Sequence, residues 1–141
     1  MKSAKWMLPV TLLLLSGLMA AQSLTSSHIV AQVPFDFTVN NRIIPAGECT
    51  VQSADMNARV LTIRNVAANK GLFTYWSHGE ENKPADSTVL VFKRYGNLYF
   101  LSEIRLEGSN RTYKLPESRA EAELRAQNAP ASEQTLLASL K

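Results

Sequence analysis

The stretch Val89 to Leu106, VLVFKRYGNLYFLSEIRL, constrains the fold more than any other part of the chain. Two runs of β-branched and aromatic residues flank Gly96-Asn97, a Gly-first pair suited to a two-residue hairpin turn. That turn sets Tyr95 opposite Leu98, Arg94 opposite Tyr99, Phe92 opposite Leu101 and Val91 opposite Ser102. Both faces of the pair are then apolar. Val89, Val91, Phe100 and Ile104 lie on one; Leu90, Phe92, Tyr99 and Leu101 lie on the other, with Arg94 and Glu103. A strand pair of this kind belongs at the centre of a sheet, covered on both sides. Arg94 and Glu103 are the residues in it that ask for a partner, and Arg94 can meet Tyr99 as a cation–π pair.

Shorter segments of period two surround the hairpin. Val33, Phe35, Phe37 and Val39 alternate with Pro34, Asp36 and Thr38. Pro34 has no N–H to donate, which places this strand at an edge or a bulge. Arg42 to Ile44 returns from an Asn40-Asn41 turn. Pro45-Ala46-Gly47 turns again into Glu48 to Ser53, whose apolar face holds Cys49 and Val51. Arg59 to Val66, Leu72 to Ser77 and Arg111 to Leu115 read as strands, and Gly79 to Asp86 as the longest loop. Ser118 and Glu121 have capping-box spacing at the head of a helix over 117–128, whose only large apolar side chain is Leu124. Residues 28–128 thus form a β-rich domain, and 129–141 a tail or short last strand. The expected fold class is all-β, mainly antiparallel: a sandwich or small barrel of about 7–8 strands with one short C-terminal helix.

Met1 to Ala21 has the layout of a secretory signal peptide. Lys2 and Lys5 precede an apolar stretch from Trp6 to Ala20, and small residues place cleavage at 20–23. The stretch is about 15 residues, short of the roughly 20 that span a bilayer, so no membrane span is expected after cleavage. The expected location is therefore the periplasm or the extracellular medium. The formal charge of +3 includes Lys2 and Lys5. The remaining charges are nearly balanced and scattered, with no basic run to neutralise a phosphate backbone, which argues against a nucleic-acid partner. The mature chain is long enough to bury one sizeable core without disulfides, and it holds a single cysteine, Cys49. On an apolar strand face Cys49 reads as a small buried thiol with no neighbouring base to activate it.

Four phrases follow one another along the chain. They are Val33-Pro34-Phe35-Asp36-Phe37, Ile44-Pro45-Ala46-Gly47-Glu48-Cys49-Thr50-Val51, Phe92 to Ser102 (FKRYGNLYFLS) and Leu115-Pro116-Glu117-Ser118-Arg119-Ala120-Glu121. In this order they make the chain resemble a family of small secreted bacterial proteins of unknown function, over nearly all of the mature sequence. The resemblance implies an exported β-domain and no particular activity. One position departs from the pattern: Cys49 stands where the family usually has Tyr.

No residue set carries a recognisable chemistry. His28, His78 and Cys49 lack ligand-like spacing, no nucleophile-elbow glycines surround a serine, and Glu80-Glu81 lies in a polar loop. The expectation is a non-enzymatic chain with no cofactor and no metal site. Phe73 and Tyr75 share one strand face, with Thr74 and Trp76 on the other. These rings can fill the core, or Tyr75 and Trp76 beside the 79–86 loop can form a docking surface. Tyr75, Trp76, Arg94, Tyr99 and Glu103 are the candidate contact residues, with Cys49 the single thiol. The chain reads as an exported, non-catalytic envelope or extracellular interaction module for an unidentified protein or small-molecule ligand. One alternative is a carrier whose barrel interior, lined by Phe35, Phe37, Phe92 and Phe100, holds an apolar molecule. Another is a hydrolase whose site forms only in the fold.

Overall fold

The computed structural model describes residues 27–55 and 57–141; the signal-peptide expectation lies outside these residues. The chain runs through β1 (Ile29–Val33), β2 (Phe37–Val39), β3 (Arg42–Ile44), β4 (Gly47–Asp55), β5 (Val60–Asn65) and β6 (Lys70–Tyr75). It continues through β7 (Ser77–Glu80), β8 (Val89–Tyr95), β9 (Leu98–Arg105), β10 (Arg111–Lys114), α1 (Arg119–Ala126), β11 (Ser132–Leu137) and β12 (Ser139–Leu140). A five-stranded sheet has the order β12-β1-β4-β5-β6, and a seven-stranded sheet the order β11-β8-β9-β10-β7, with β2 attached to β9 and β3 to β2. Pairing is antiparallel except between β2 and β9. Both sheets keep edge strands, so the fold is a β-sandwich and the barrel alternative is corrected.

The strand count exceeds the sequence expectation because three runs divide between the sheets. Pro34-Phe35-Asp36 breaks the alternating run Val33 to Val39 and carries the chain from β1 in the smaller sheet to β2 in the larger. Pro34 cannot donate to a ladder, and Asp36 Oδ1 instead accepts from the Ala46 N–H at 2.8 Å. Trp76 makes the same crossing from β6 to β7, and Ala138 from β11 to β12. The first and last strands of the described residues therefore meet: Ile29 and Val30 pair with Leu140 and Ser139. The 129–141 segment belongs to both sheets, and the long loop begins only after Glu80.

The central hairpin is β8–β9. Tyr95–Leu98, Arg94–Tyr99 and Phe92–Leu101 pair as the Gly96-Asn97 turn requires, and Gly96 carries the positive φ of +62°. Beyond Phe92 the register shifts by one residue, so Val91 faces Glu103 rather than Ser102. This bulge changes which side chains share a face. Leu90, Phe92, Leu101 and Ile104 all enter the core between the sheets. Val91, Tyr95 and Phe100 are buried on the outer face, partly under α1. A pair apolar on both faces is indeed covered on both sides.

Helix α1 is held by its cap and by one buried acid. Ser118 Oγ accepts from the Glu121 N–H at 3.2 Å. The Glu121 carboxylate turns away from the cap, where the capping box would place it, and accepts from Tyr95 Oη at 3.3 Å. Leu124 is only half-buried, and Glu121 is the helix's buried residue. Burial is the main cause that raises the Glu121 carboxyl above its ordinary 4.5, against the pull of Lys93, whose Nζ lies 3.8 Å away.

Candidate functional site

The candidate residues fall at opposite ends of the sandwich. Val33 pairs with Gly47 at one end of the β1–β4 ladder and Ile29 with Val51 at the other. The Gly96 turn, Tyr99 and Phe92 lie toward the first end, and Ile104 and Leu106 toward the second.

At the turn end every candidate has a structural partner. Phe35 stacks on Tyr99 with ring centroids 3.6 Å apart and meets Phe92 edge-on at 5.0 Å, and Phe37 meets Phe92 edge-on at 5.3 Å. The Arg94 guanidinium lies 5.4 Å from the Tyr99 ring, and its Nε donates to the Gly96 carbonyl at 2.7 Å. The sequence places Arg94 and Glu103 on one face; the bulge separates them. Glu103 moves to the Val91 side, where it accepts from Arg105 Nε at 2.8 Å. The rings assigned to a carrier interior also do not line a shared cavity. Phe35, Phe37 and Phe92 fill the space with one another, and Phe100 lies on the outer face, edge-on to Tyr95 at 5.7 Å.

The four sequence phrases converge on this joint. Asp36 holds Ala46, as above. Asn65 Nδ2 donates to the carbonyls of Pro45 and Ala46 at 2.8 and 3.0 Å, and its Oδ1 accepts from the Ala68 N–H at 3.0 Å. Gly47 has φ +137°, and a Cβ there would come within 3.2 Å of Asn65 Nδ2. Tyr95 joins the third phrase to Glu121 of the fourth, and Asn41 Oδ1 accepts from the Arg119 N–H at 2.7 Å. Cys49 lies in the inter-sheet core. Burial, with the Glu48 charge adding to it, pushes its thiol up to about 11, the opposite of what a nucleophile needs.

The far end is built differently. Trp76, at the β6–β7 corner, points between the sheets and is only 6 % exposed, so it does not join Tyr75 in a contact surface; that pairing is corrected. Tyr113 and His78 meet its ring edge-on at 4.5 and 4.8 Å, and the Arg59 guanidinium lies 6.0 Å from its centroid. Trp76 Nε1 is buried without a hydrogen-bond partner. Beside the indole a half-open cavity of about 200 Å³ separates the sheets, walled by Ile29, Val51 and Leu61 on one side and Ile104, Leu106 and Tyr113 on the other. These walls come from β1, β4, β5, β9, β10 and the residue after β9. Only the folded topology brings them together, and local sequence patterns gave no sign of them.

On the outside of the same corner Tyr75 is 67 % exposed and so is Phe73, two residues before it on edge strand β6. Phe73 was not among the sequence candidates, although its spacing from Tyr75 already put both rings on one strand face. Arg64 pairs with Gly71 next to them, and a Cβ on Gly71 would come within 2.7 Å of the Arg64 Cγ, so the glycine makes room for that side chain. Arg59, Arg64 and Lys70 form no ion pair among the described residues.

Among the described residues no three His, Cys, Asp or Glu side chains gather to hold a metal ion, and no helix is long and apolar enough to cross a membrane. Comparison of the chain with protein-family models, curated proteins and solved structures finds no match in any of the three.

Proposed function

We propose that the chain is an exported, non-catalytic interaction module that docks an extended, acidic segment of a partner polypeptide along β6. The observation that carries this reading is the pair Phe73 and Tyr75, two large rings two-thirds exposed on a strand with one open edge. Aromatic side chains in water are the usual anchors of protein contacts. An open strand edge offers backbone donors and acceptors to an added strand. Arg64, on the same face of the sheet as the rings, carries charge without an acidic partner among the described residues, which favours an acidic segment. The raised pKa and burial of Cys49 support a non-catalytic role.

A photo-crosslinking amino acid at position 73 in the exported fraction tests the reading, with the same group at exposed Leu98 as comparison. A single identified partner crosslinked from position 73 through an acidic segment, and not from position 98, is the expected result. Equal labelling from both positions, or none from 73, overturns the docking surface.

A further inference from the structure

We infer that the open end of the sandwich is a binding site for a small, neutral, apolar ring, independent of the β6 surface. The cavity holds about 200 Å³, somewhat more than the roughly 150 Å³ of an apolar protein cavity known to hold a benzene molecule. It is well below the several hundred Å³ of a drug-sized pocket, so one ring with a short substituent is the largest ligand that fits. Among the described residues no charged side chain lines it. A carboxylate or ammonium placed among these side chains would lose its hydration with no counter-ion in the described lining itself, which favours a neutral ligand.

Two walls favour a ring. Trp76 and Tyr113 stand perpendicular, with an interplanar angle of 87°, so a flat ligand can lie along one ring and present its edge to the other. Ile29, Val51, Leu61 and Ile104 close the remaining sides with aliphatic surface, while Ser27, Gln52 and Ser53 supply the polar positions of the lining. The two sheets meet at this end without filling the space, and Leu140 on β12 stands partly exposed beside it.

The chain contains two tryptophans, Trp6 and Trp76, so the full-length Trp6→Phe protein has Trp76 as its sole indole emitter. Toluene is titrated against it, with benzoate as the charged probe of similar shape. The expected result is a saturable change in Trp76 emission and a rise in melting temperature with toluene, and neither with benzoate. Leu106→Phe, which adds bulk at a half-buried wall position, is expected to weaken toluene at least tenfold while leaving the melting temperature without toluene within a few degrees. Leu140→Phe repeats the block from the opposite sheet if the first variant folds poorly. A linear, non-saturating response, an equal response to benzoate, or undiminished toluene binding in the blocked variants overturns the site. The crosslinking from position 73 does not depend on the cavity, so either conclusion can fail alone.

Discussion

At the turn end of the sandwich, Phe35, Phe37, Phe92 and Tyr99 stack or meet edge-on, while Asp36, Asn65 and Glu121 place their polar atoms on named partners. At the other end the same two sheets leave a cavity beside an indole whose N–H has no acceptor. The strands are shared, so strand propensity cannot explain the difference. The turn end is crossed by three residues, Pro34-Phe35-Asp36, of which Phe35 stacks on Tyr99 and meets Phe92 edge-on while the exposed Asp36 carboxylate holds the Ala46 N–H. The far end is crossed at Trp76 and Ala138, single residues that bring one ring and one methyl group. Filling depends on what the crossings carry. The residues that look most distinctive in the sequence therefore hold the scaffold, and the space for a ligand lies where the sequence is plain.

The largest test of this contrast is Phe92→Ala. Phe92 is fully buried between Phe35 and Phe37, so the truncation should leave a hole that neighbours cannot fill and cost about 3–5 kcal/mol. Urea denaturation reads the loss directly; a cost below about 1 kcal/mol would mean the turn end collapses easily and the contrast is false. Asn65→Ala should come next, at about 2–4 kcal/mol by the same measurement. It removes three hydrogen bonds and leaves the Pro45 and Ala46 carbonyls without their donor.

Glu121 gives a smaller effect with a definite sign. Burial raises its carboxyl above the ordinary 4.5, so the folded chain holds that proton more firmly than the unfolded one. Its contribution to stability is then fully present below about pH 4.5 and is lost as pH rises through the raised value. Lys93, Glu117, Tyr95 and Arg125 are the charged and titratable groups that act on it. In Glu121→Gln this proton is gone. The stability of the wild type relative to the variant should fall as pH rises above about 4.5 in paired denaturation curves; a flat or rising difference contradicts the assigned burial.

Much of this was legible in the sequence. The Gly96-Asn97 turn, the two covered faces of the hairpin and the opposition of Phe73 and Tyr75 to Trp76 all follow from period two and turn chemistry. The bulge after Phe92 was not legible, because Ser102 is as acceptable in a strand as its neighbours and only packing of Leu90 against Ile104 selects the shift. Nor were the crossings at Trp76 and Ala138, where no proline marks the change of sheet. Glu121 hid for another reason: an acid in a first helical turn looks like a cap residue, and its burial comes from Tyr95, far away in the chain. The cavity walls come from both sheets and could not be read from any one segment.

At the open end, truncation should matter little, because a half-empty space has less packing to lose. Leu106→Ala removes a half-buried wall residue and is expected to cost less than about 1 kcal/mol, well under the Phe92 value. The smallest effect belongs to the outer surface. Phe73→Ser with Tyr75→Ser changes two side chains that stand largely in water, so the folded state loses few contacts and stability should stay within about 0.5 kcal/mol. Their strand neighbours Leu72 and Thr74 point inward and are buried, which keeps β6 in register when the rings are gone. That separation makes the double variant useful. If it keeps the melting temperature and still responds to toluene but no longer binds the partner identified by crosslinking from position 73, the two surfaces of one corner serve different contacts. If it unfolds, the rings belong to the scaffold, and the contrast between a filled end and an open one would have to include the outer face of β6.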